Sequence, residues 1–142
     1  MPPRARLRLA PVLRLERQLE FAGEEALRRI VRAAEAATRE IARDALVSEA
    51  WLVERLTGVR SRDADGTPAL VGQAVAMDLS ALALRLSERA PLQSSELPGG
   101  LVPLVDGAAR LGVTVRSLQR WRRQGLAMVR ARTAAGVRTV LS

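Results

Sequence analysis

Residues 105–126 read VDGAARLGVTVRSLQRWRRQGL, and this stretch predicts two short helices joined by a tight turn. A first helix fits Asp106–Leu111, with Asp106 as its predicted N-cap. Gly112 then allows the chain to turn sharply, and Val113 fills the angle between the two helices.

The second helix is predicted from Val115 to Gln124. Thr114 can cap its N-terminus, and Gly125 can end it as a left-handed residue. Two helices joined by a turn of three or four residues that contains Gly are the signature of a helix-turn-helix.

One face of the second helix carries only basic and amide side chains. At about 100° per residue, four side chains fall within one arc: Arg116, Gln119, Arg120 and Arg123. Arg and Gln can contact base edges in the major groove, and Arg also neutralises phosphates. A merely solvated face would usually mix acids with bases, and this helix has no acid. We therefore expect this face to contact DNA.

Leu118 and Trp121 fall on the opposite side of that helix and are predicted to pack in the core. The alternative for Trp121 is stacking on an unpaired base, as in proteins that bind single strands.

The pattern becomes extended after Leu126. Residues 128–133 (MVRART) and 137–141 (VRTVL) alternate, with residues 134–136 as a tight turn, which predicts a β-hairpin. The hairpin would bring three arginines close to the second helix, where they suit phosphate or minor-groove contacts: Arg130, Arg132 and Arg138. The alternative is a disordered basic tail.

The positive charge is concentrated in the same region. The net charge is +8, and residues 101–142 hold eight arginines against Asp106 alone, whereas residues 1–100 hold 15 arginines against 14 acids. A concentrated basic segment is the electrostatic footprint of a polyanion partner, although a solvated tail would look the same.

The front of the chain, residues 1–90, has apolar residues at helical spacing. Apolar residues recur at helical spacing from Ala22 to Thr57, with Gly58 as a helix stop, and again from Leu70 to Arg89. Residues 61–68 (SRDADGTP) are typical of a loop and residues 91–100 (PLQSSELPGG) of a linker. The predicted fold is mainly α, with a helical module at 1–90, a linker at 91–101 and a small winged helix-turn-helix at 102–142.

The composition argues against catalysis. The chain has no cysteine, which excludes a disulfide framework, a thiolate zinc site and a cysteine nucleophile. It has no histidine either, so the usual general base and metal ligand are missing. We predict no enzyme activity, no catalytic residue, no metal and no cofactor.

The first twenty residues alternate arginines with apolar residues, as in an organelle transit peptide or a membrane-surface helix. Pro2, Pro3 and Pro11 are expected to break any helix there, and no apolar run reaches the roughly 18 residues that span a bilayer. A cytoplasmic protein without a membrane partner is therefore predicted.

The run LVDGAARLGVTVRSLQRWRRQGL, followed by AGVRTVLS, resembles the DNA-binding unit of MerR and excisionase-like proteins. That class has a small first helix, a Gly-Val turn, a second helix with Leu, Arg and Trp, and then a wing. MerR regulators carry this unit at the amino terminus, whereas here it follows the helical front.

A longer stretch, from about Leu15 to Ser142, is similar to the amino-terminal part of planctomycete-type RNA polymerase sigma factors. The similarity covers LERQLEFAGEEALRRIVRAAE, LVERLTGVRS, VGQAVAMDLSALALRLSE and SLQRWRRQGL. It implies DNA binding in transcription through positions that match the family's helix-turn-helix: Arg116, Gln119, Arg120, Trp121 and Arg123. The sigma regions that grip polymerase and melt the promoter have no counterpart here, so a sigma-like fragment or a stand-alone regulator is expected.

The sequence thus predicts a sequence-preferring protein that binds double-stranded DNA in transcription. The helical front would form a homodimer or contact RNA polymerase or another transcription protein. The alternative is a non-enzymatic adaptor whose basic module docks an acidic partner. Packing of the basic helix face against the front would favour the adaptor.

Overall fold

Helices dominate the computed structural model, which describes residues 5–60, 69–96 and 102–141. The helices are α1 (Ala10–Gln18), α2 (Glu24–Glu40), α3 (Glu49–Thr57), α4 (Gly72–Arg89), α5 (Leu104–Leu111) and α6 (Val115–Arg123). The strands are β1 (Leu46–Val47), β2 (Leu70–Val71), β3 (Val102–Pro103), β4 (Met128–Thr133) and β5 (Gly136–Leu141). The mainly helical fold class is confirmed. The predicted loop at 61–68 lies outside the described residues.

The two long helices, α2 and α4, pack against each other and form the centre of the fold. The apolar residues at helical spacing along them are buried: Leu27, Ile30, Val31, Ala34, Leu79, Leu82, Ala83 and Leu86. Leu46 also lies in the stretch predicted to be helical, but it is 71% exposed, because the chain leaves the helix at Ile41 and enters β1. A new helix, α3, then starts where Ser48 Oγ accepts the Trp51 N–H, and it ends at Gly58 as predicted.

The proline argument about the first twenty residues is wrong in part, because α1 forms there. Pro11 lies in the first turn of α1, where its missing N–H would have no helical partner in any case. Val12 and Leu15 turn inward from this helix and are buried.

The helical pair α5–α6 follows the predicted boundaries closely. Gly112 has a φ of 66° between the helices, and Thr114 caps α6 by accepting the Ser117 N–H at 3.1 Å. The prediction for Asp106 is wrong: the N-cap of α5 is Pro103, so Asp106 lies inside the first turn and is exposed.

The predicted hairpin is present as β4 and β5, and β3 adds a third strand to give the antiparallel order β3-β5-β4. The other edge of β4 is occupied by Leu92. Its N–H donates to the Arg130 carbonyl oxygen at 3.0 Å, and its own carbonyl accepts the Arg132 N–H at 2.8 Å. Leu92 is fully buried, so this part of the predicted linker is built into the fold, whereas residues 97–101 lie outside the described residues.

One hydrophobic core runs through the described residues of the front and the carboxy-terminal elements. It joins Val12 and Leu15 of α1 with Leu79 of α4 and with Val129 and Val140 of the hairpin. The predicted boundaries at 90 and 101 therefore do not separate two cores, although the division into units of function stays a prediction.

Within the described residues, no helix is both long and apolar enough to cross a membrane. In the same part of the chain, acidic side chains form no group placed to hold a metal ion.

Candidate functional site

The outward face of α6 holds the predicted base-contacting residues together. All four side chains are exposed: Arg116, Gln119, Arg120 and Arg123. None of the three arginines has an acidic partner within 4 Å among the described residues. The face therefore presents uncompensated positive charge to the solvent.

The opposite side of α6 is fixed to α4. Leu118 is fully buried, and Ser80 Oγ is within hydrogen-bond distance of two carbonyl oxygens, of Arg122 at 3.1 Å and of Leu126 at 2.8 Å. Gln73 Nε2 donates to the carbonyl oxygen of Gln124 at 3.0 Å. These bonds tie α4 to the last turn of α6 and to the residues that follow it. They hold α6 so that its basic face stays exposed, although Arg123 at the end of that face also lines a hollow with residues of α4.

The prediction that Trp121 packs in the core is wrong in part, since its side chain is 36% exposed. On the helical wheel Trp121 lies about 60° to one side of Leu118, and Arg122 lies about 40° to the other side. In the structure Arg122 is half-buried and lines a hollow with Met77 and Ala81 of α4, whereas Trp121 is exposed. The aliphatic stem of an arginine can cover apolar surface in this way, which the sequence pattern did not reveal.

The three hairpin arginines do not share one face. Arg132 is exposed and Arg130 is half-buried, and both lie on one side of β4. Arg138 pairs with Ala131 and therefore lies on the opposite side of the sheet. The hairpin packs chiefly on α4 and, through β5, on α5.

Arg130 is held against the hairpin by its own hydrogen bonds. Its guanidinium donates to Thr139 Oγ1 at 3.0 Å and to the Val137 carbonyl oxygen at 3.4 Å. Arg132 and Arg138 make no such cross-strand contact among the described residues, so they are freer to meet a ligand.

The distribution of ion pairs separates the front from the carboxy-terminal elements. Every ion pair among the described residues joins an arginine to an acid within residues 14–96, as in Arg85–Glu16 and Arg55–Glu40. The hydrogen-bonded Arg55 lowers the pKa of Glu40 and keeps that carboxylate charged. The positive charge of residues 102–141 has no such compensation.

Two arginines from the start of the chain reach the end of α6, and the sequence pattern does not assign them to a site. Arg6 and Arg8 of an extended amino-terminal segment line a hollow of about 410 Å³ together with Arg122 and Arg123. The alternation of arginines with apolar residues in the first twenty positions is the sequence feature that could have indicated this site. That pattern alone is equally typical of a transit peptide or a membrane-surface helix.

The comparisons with known proteins give no match: no family model fits the chain, and no curated protein or solved structure is similar to it at a significant level.

Proposed function

We propose that the chain binds double-stranded DNA with a sequence preference and acts in transcription. In this proposal α5 and α6 form a helix-turn-helix, and the β4–β5 hairpin is its wing. Arg116, Gln119, Arg120 and Arg123 contact base edges and phosphates in the major groove, and the hairpin arginines contact the backbone.

The observation that carries the proposal is the unpaired basic face of α6. An arginine face that stabilised only this fold would be expected to have acidic neighbours, as the arginines of the front do. Here the arginines extend into solvent from a helix whose other side is fixed by Leu118 and Ser80. A rigid helix with a free basic face is the arrangement that fits into a groove of the duplex.

The alternative, an adaptor that docks an acidic protein, would gain from a basic face covered by the helical front. That face is uncovered in the structure. The place in transcription rests on the resemblance of the sequence to sigma factors and MerR proteins alone.

A titration of the protein with random duplex DNA at several salt concentrations tests the proposal. If about four arginines neutralise phosphates, log affinity falls with log salt at a slope near −3.6. A control variant with Arg17 and Arg29 changed to Ala should keep that slope, because these exposed arginines lie on α1 and α2. A flat salt dependence contradicts the proposal, and an unrelated acidic protein that binds as tightly as DNA favours the adaptor.

The helical front, in the same proposal, contacts a second copy or a transcription protein. Leu46 and Val71 are paired between β1 and β2 and are 71% and 53% exposed, and Trp51 nearby is 38% exposed. Exposed apolar groups that lie together are typical of interaction surfaces. Sedimentation of the protein and of its Leu46→Ser variant would test self-association, which should weaken in the variant.

A further inference from the structure

The extended segment from Ala5 to Leu9 is fixed beside α6 by specific hydrogen bonds. The two oxygens of Asp78 accept the backbone N–H group of Arg8 at 3.1 and 3.0 Å, and Oδ2 accepts that of Leu9 at 2.7 Å. Arg85 Nη1 donates to the Ala5 carbonyl oxygen at 2.9 Å. The segment is therefore an ordered arm, held in place by Asp78 and Arg85 of α4.

The arm directs its charged side chains outward. Ala5 is buried and Leu7 and Leu9 are half-buried, whereas Arg6 and Arg8 between them are exposed. This alternation is that of an extended chain with one face against the protein. It brings two guanidinium groups to the hollow that Arg122 and Arg123 of α6 also line.

The charges in the hollow are unbalanced. Asp78 is the acidic residue among its lining residues, and both carboxylate oxygens of Asp78 are engaged by backbone N–H groups. Four arginines therefore face one carboxylate that does not pair with any of their guanidinium groups. The hollow therefore carries an excess of positive charge, which a bound anion would neutralise.

Arg122 also lacks a hydrogen-bond partner, among the described residues, for part of its own guanidinium group. Its Nη1 is buried and has no hydrogen-bond partner in the described part of the chain. Burial, and then the neighbouring charge of Arg123, lower the pKa of Arg122. Buried donors are nearly always paired in native proteins, so an orphaned one indicates a missing acceptor.

We propose that this hollow, formed by Arg6, Arg8, Arg122 and Arg123, binds a phosphate group of the DNA backbone beside the groove that α6 occupies. The inference rests on the proposed function. Arg123 belongs both to the outward face of α6 and to the hollow, so the two surfaces are continuous. Guanidinium groups bind phosphate oxygens in bidentate geometry, and a bound phosphate would offer the buried Nη1 of Arg122 an acceptor once that group turns toward the hollow.

The first experiment compares two double variants in the duplex titration. Arg6→Ala with Arg8→Ala should reduce the steepness of the salt slope by about 0.9, the value for one lost phosphate contact. The control, Arg17→Ala with Arg29→Ala, removes the same charge from exposed sites and should leave the slope unchanged. If wild-type protein binds duplex DNA and the arm variant has the same slope as the control, the phosphate site is excluded and the proposed function stands.

A second variant, Arg122→Met, separates binding from folding. It removes an incompletely paired charge from a partly buried position, so the melting temperature should rise while duplex affinity falls. A melting temperature that falls together with affinity would mean that Arg122 is needed for the fold, and would overturn its assignment as a phosphate ligand.

The third experiment uses inorganic phosphate as the probe and records the arginine Nε–Hε signals by NMR. The signals of Arg6, Arg8 and Arg122 should shift on addition of phosphate, and those of Arg17 and Arg29 should not. Shifts at the hollow in a protein that binds no duplex would overturn the proposed function and assign the hollow to a free phosphate ligand. No shift at the hollow would overturn the site itself.

Discussion

Ser80, in the middle of α4, donates its hydroxyl hydrogen bond to the carbonyl oxygen of Leu126 at 2.8 Å, although the two residues are 46 positions apart. The hydroxyl is also 3.1 Å from the carbonyl oxygen of Arg122. One fully buried side chain thus connects the helical front to the end of α6. A second serine of α4, Ser87, connects the helical front to the hairpin by accepting the Arg130 N–H at 2.7 Å.

These connections and the shared core predict that the chain unfolds as one cooperative unit. Trp51 reports on α3 and Trp121 on α6, so the variants Trp51→Phe and Trp121→Phe each leave one fluorescent probe. Denaturant midpoints, each compared with the circular dichroism of the same variant, should coincide for both probes. Separate midpoints for the two probes would mean that the front and the carboxy-terminal elements fold independently.

Loss of the Ser80 hydroxyl should lower the free energy of unfolding by about 0.5–1.5 kcal/mol, because Ser80→Ala removes the hydrogen bond from this buried hydroxyl to the carbonyl oxygen of the half-buried Leu126. Urea denaturation measures the change. Ser94→Ala, at an exposed position, is the matched control and should cost less than about 0.5 kcal/mol. Equal stability of the two variants would show that the bond contributes nothing.

The orientation of α6 predicts which of two substitutions in this helix destabilises the protein more. Leu118→Ala should cost about 2–5 kcal/mol, because the side chain is fully buried. Trp121→Ala should cost less, because the ring is 36% exposed. Thermal and denaturant unfolding measure both, and a larger loss for Trp121→Ala would contradict the orientation of the helix. If the Trp121 variant stays folded but loses affinity for single strands, the ring is a stacking residue.

Contacts that distinguish between bases should be separable by mutation from contacts that bind only phosphates. Arg120→Ala should cost about 1–3 kcal/mol of binding free energy on a preferred site and relax the preference at one base pair. Arg132→Ala should weaken binding to all duplexes equally and reduce the steepness of the salt slope by about one unit. Selection of preferred sites, followed by titrations of both variants, measures this difference. Identical behaviour without any change of base preference would leave α6 as a non-specific anion-binding helix.

Asp78 predicts a specific pH dependence. Burial raises the pKa of its carboxyl above the ordinary value of 3.8, against the opposing effect of the N–H groups of Leu9 and Arg8. The folded state therefore binds the proton more tightly than the unfolded chain does. The contribution of Asp78 to stability is largest below 3.8 and decreases as the pH rises through the raised pKa.

The Asp78→Asn variant should lack this contribution. The unfolding free energy of the wild type minus that of the variant should therefore decrease as the pH rises from 3.8. Comparison with the variant removes the effect of other acids, such as Glu40, whose pKa is shifted in the opposite direction. A difference that is constant with pH would contradict the assigned direction.

Features that depend on neighbouring residues could be predicted from the sequence. The Thr114 cap, the sharp turn at Gly112 and the two strands of the hairpin all follow from local chemistry, and the structure has them where they were expected. The exposure of Arg116 and Arg120 follows from the helical period of α6.

The features that the sequence did not reveal depend on distant contacts. Leu92 lies in a stretch with the composition of a linker, but it is buried because β4 offers it a free edge. The half-burial of Arg122 beside an exposed Trp121 depends on α4, which lies far away in the sequence. The arm at Arg6 and Arg8 is ordered by Asp78, whose carboxylate also lies far along the chain.

The core that joins Val12 and Leu15 to Val129 and Val140 has a consequence for the synthesis of the protein. Contacts between residues so far apart in sequence form slowly, because the chain between them must first be ordered. On the ribosome, α1, α2 and α4 emerge before the strands that complete their core. These three helices can pack on each other once α4 has emerged. The part of the core that Val129 and Val140 complete, however, stays uncovered until residues 128–141 have been made, which exposes the nascent chain to aggregation until then.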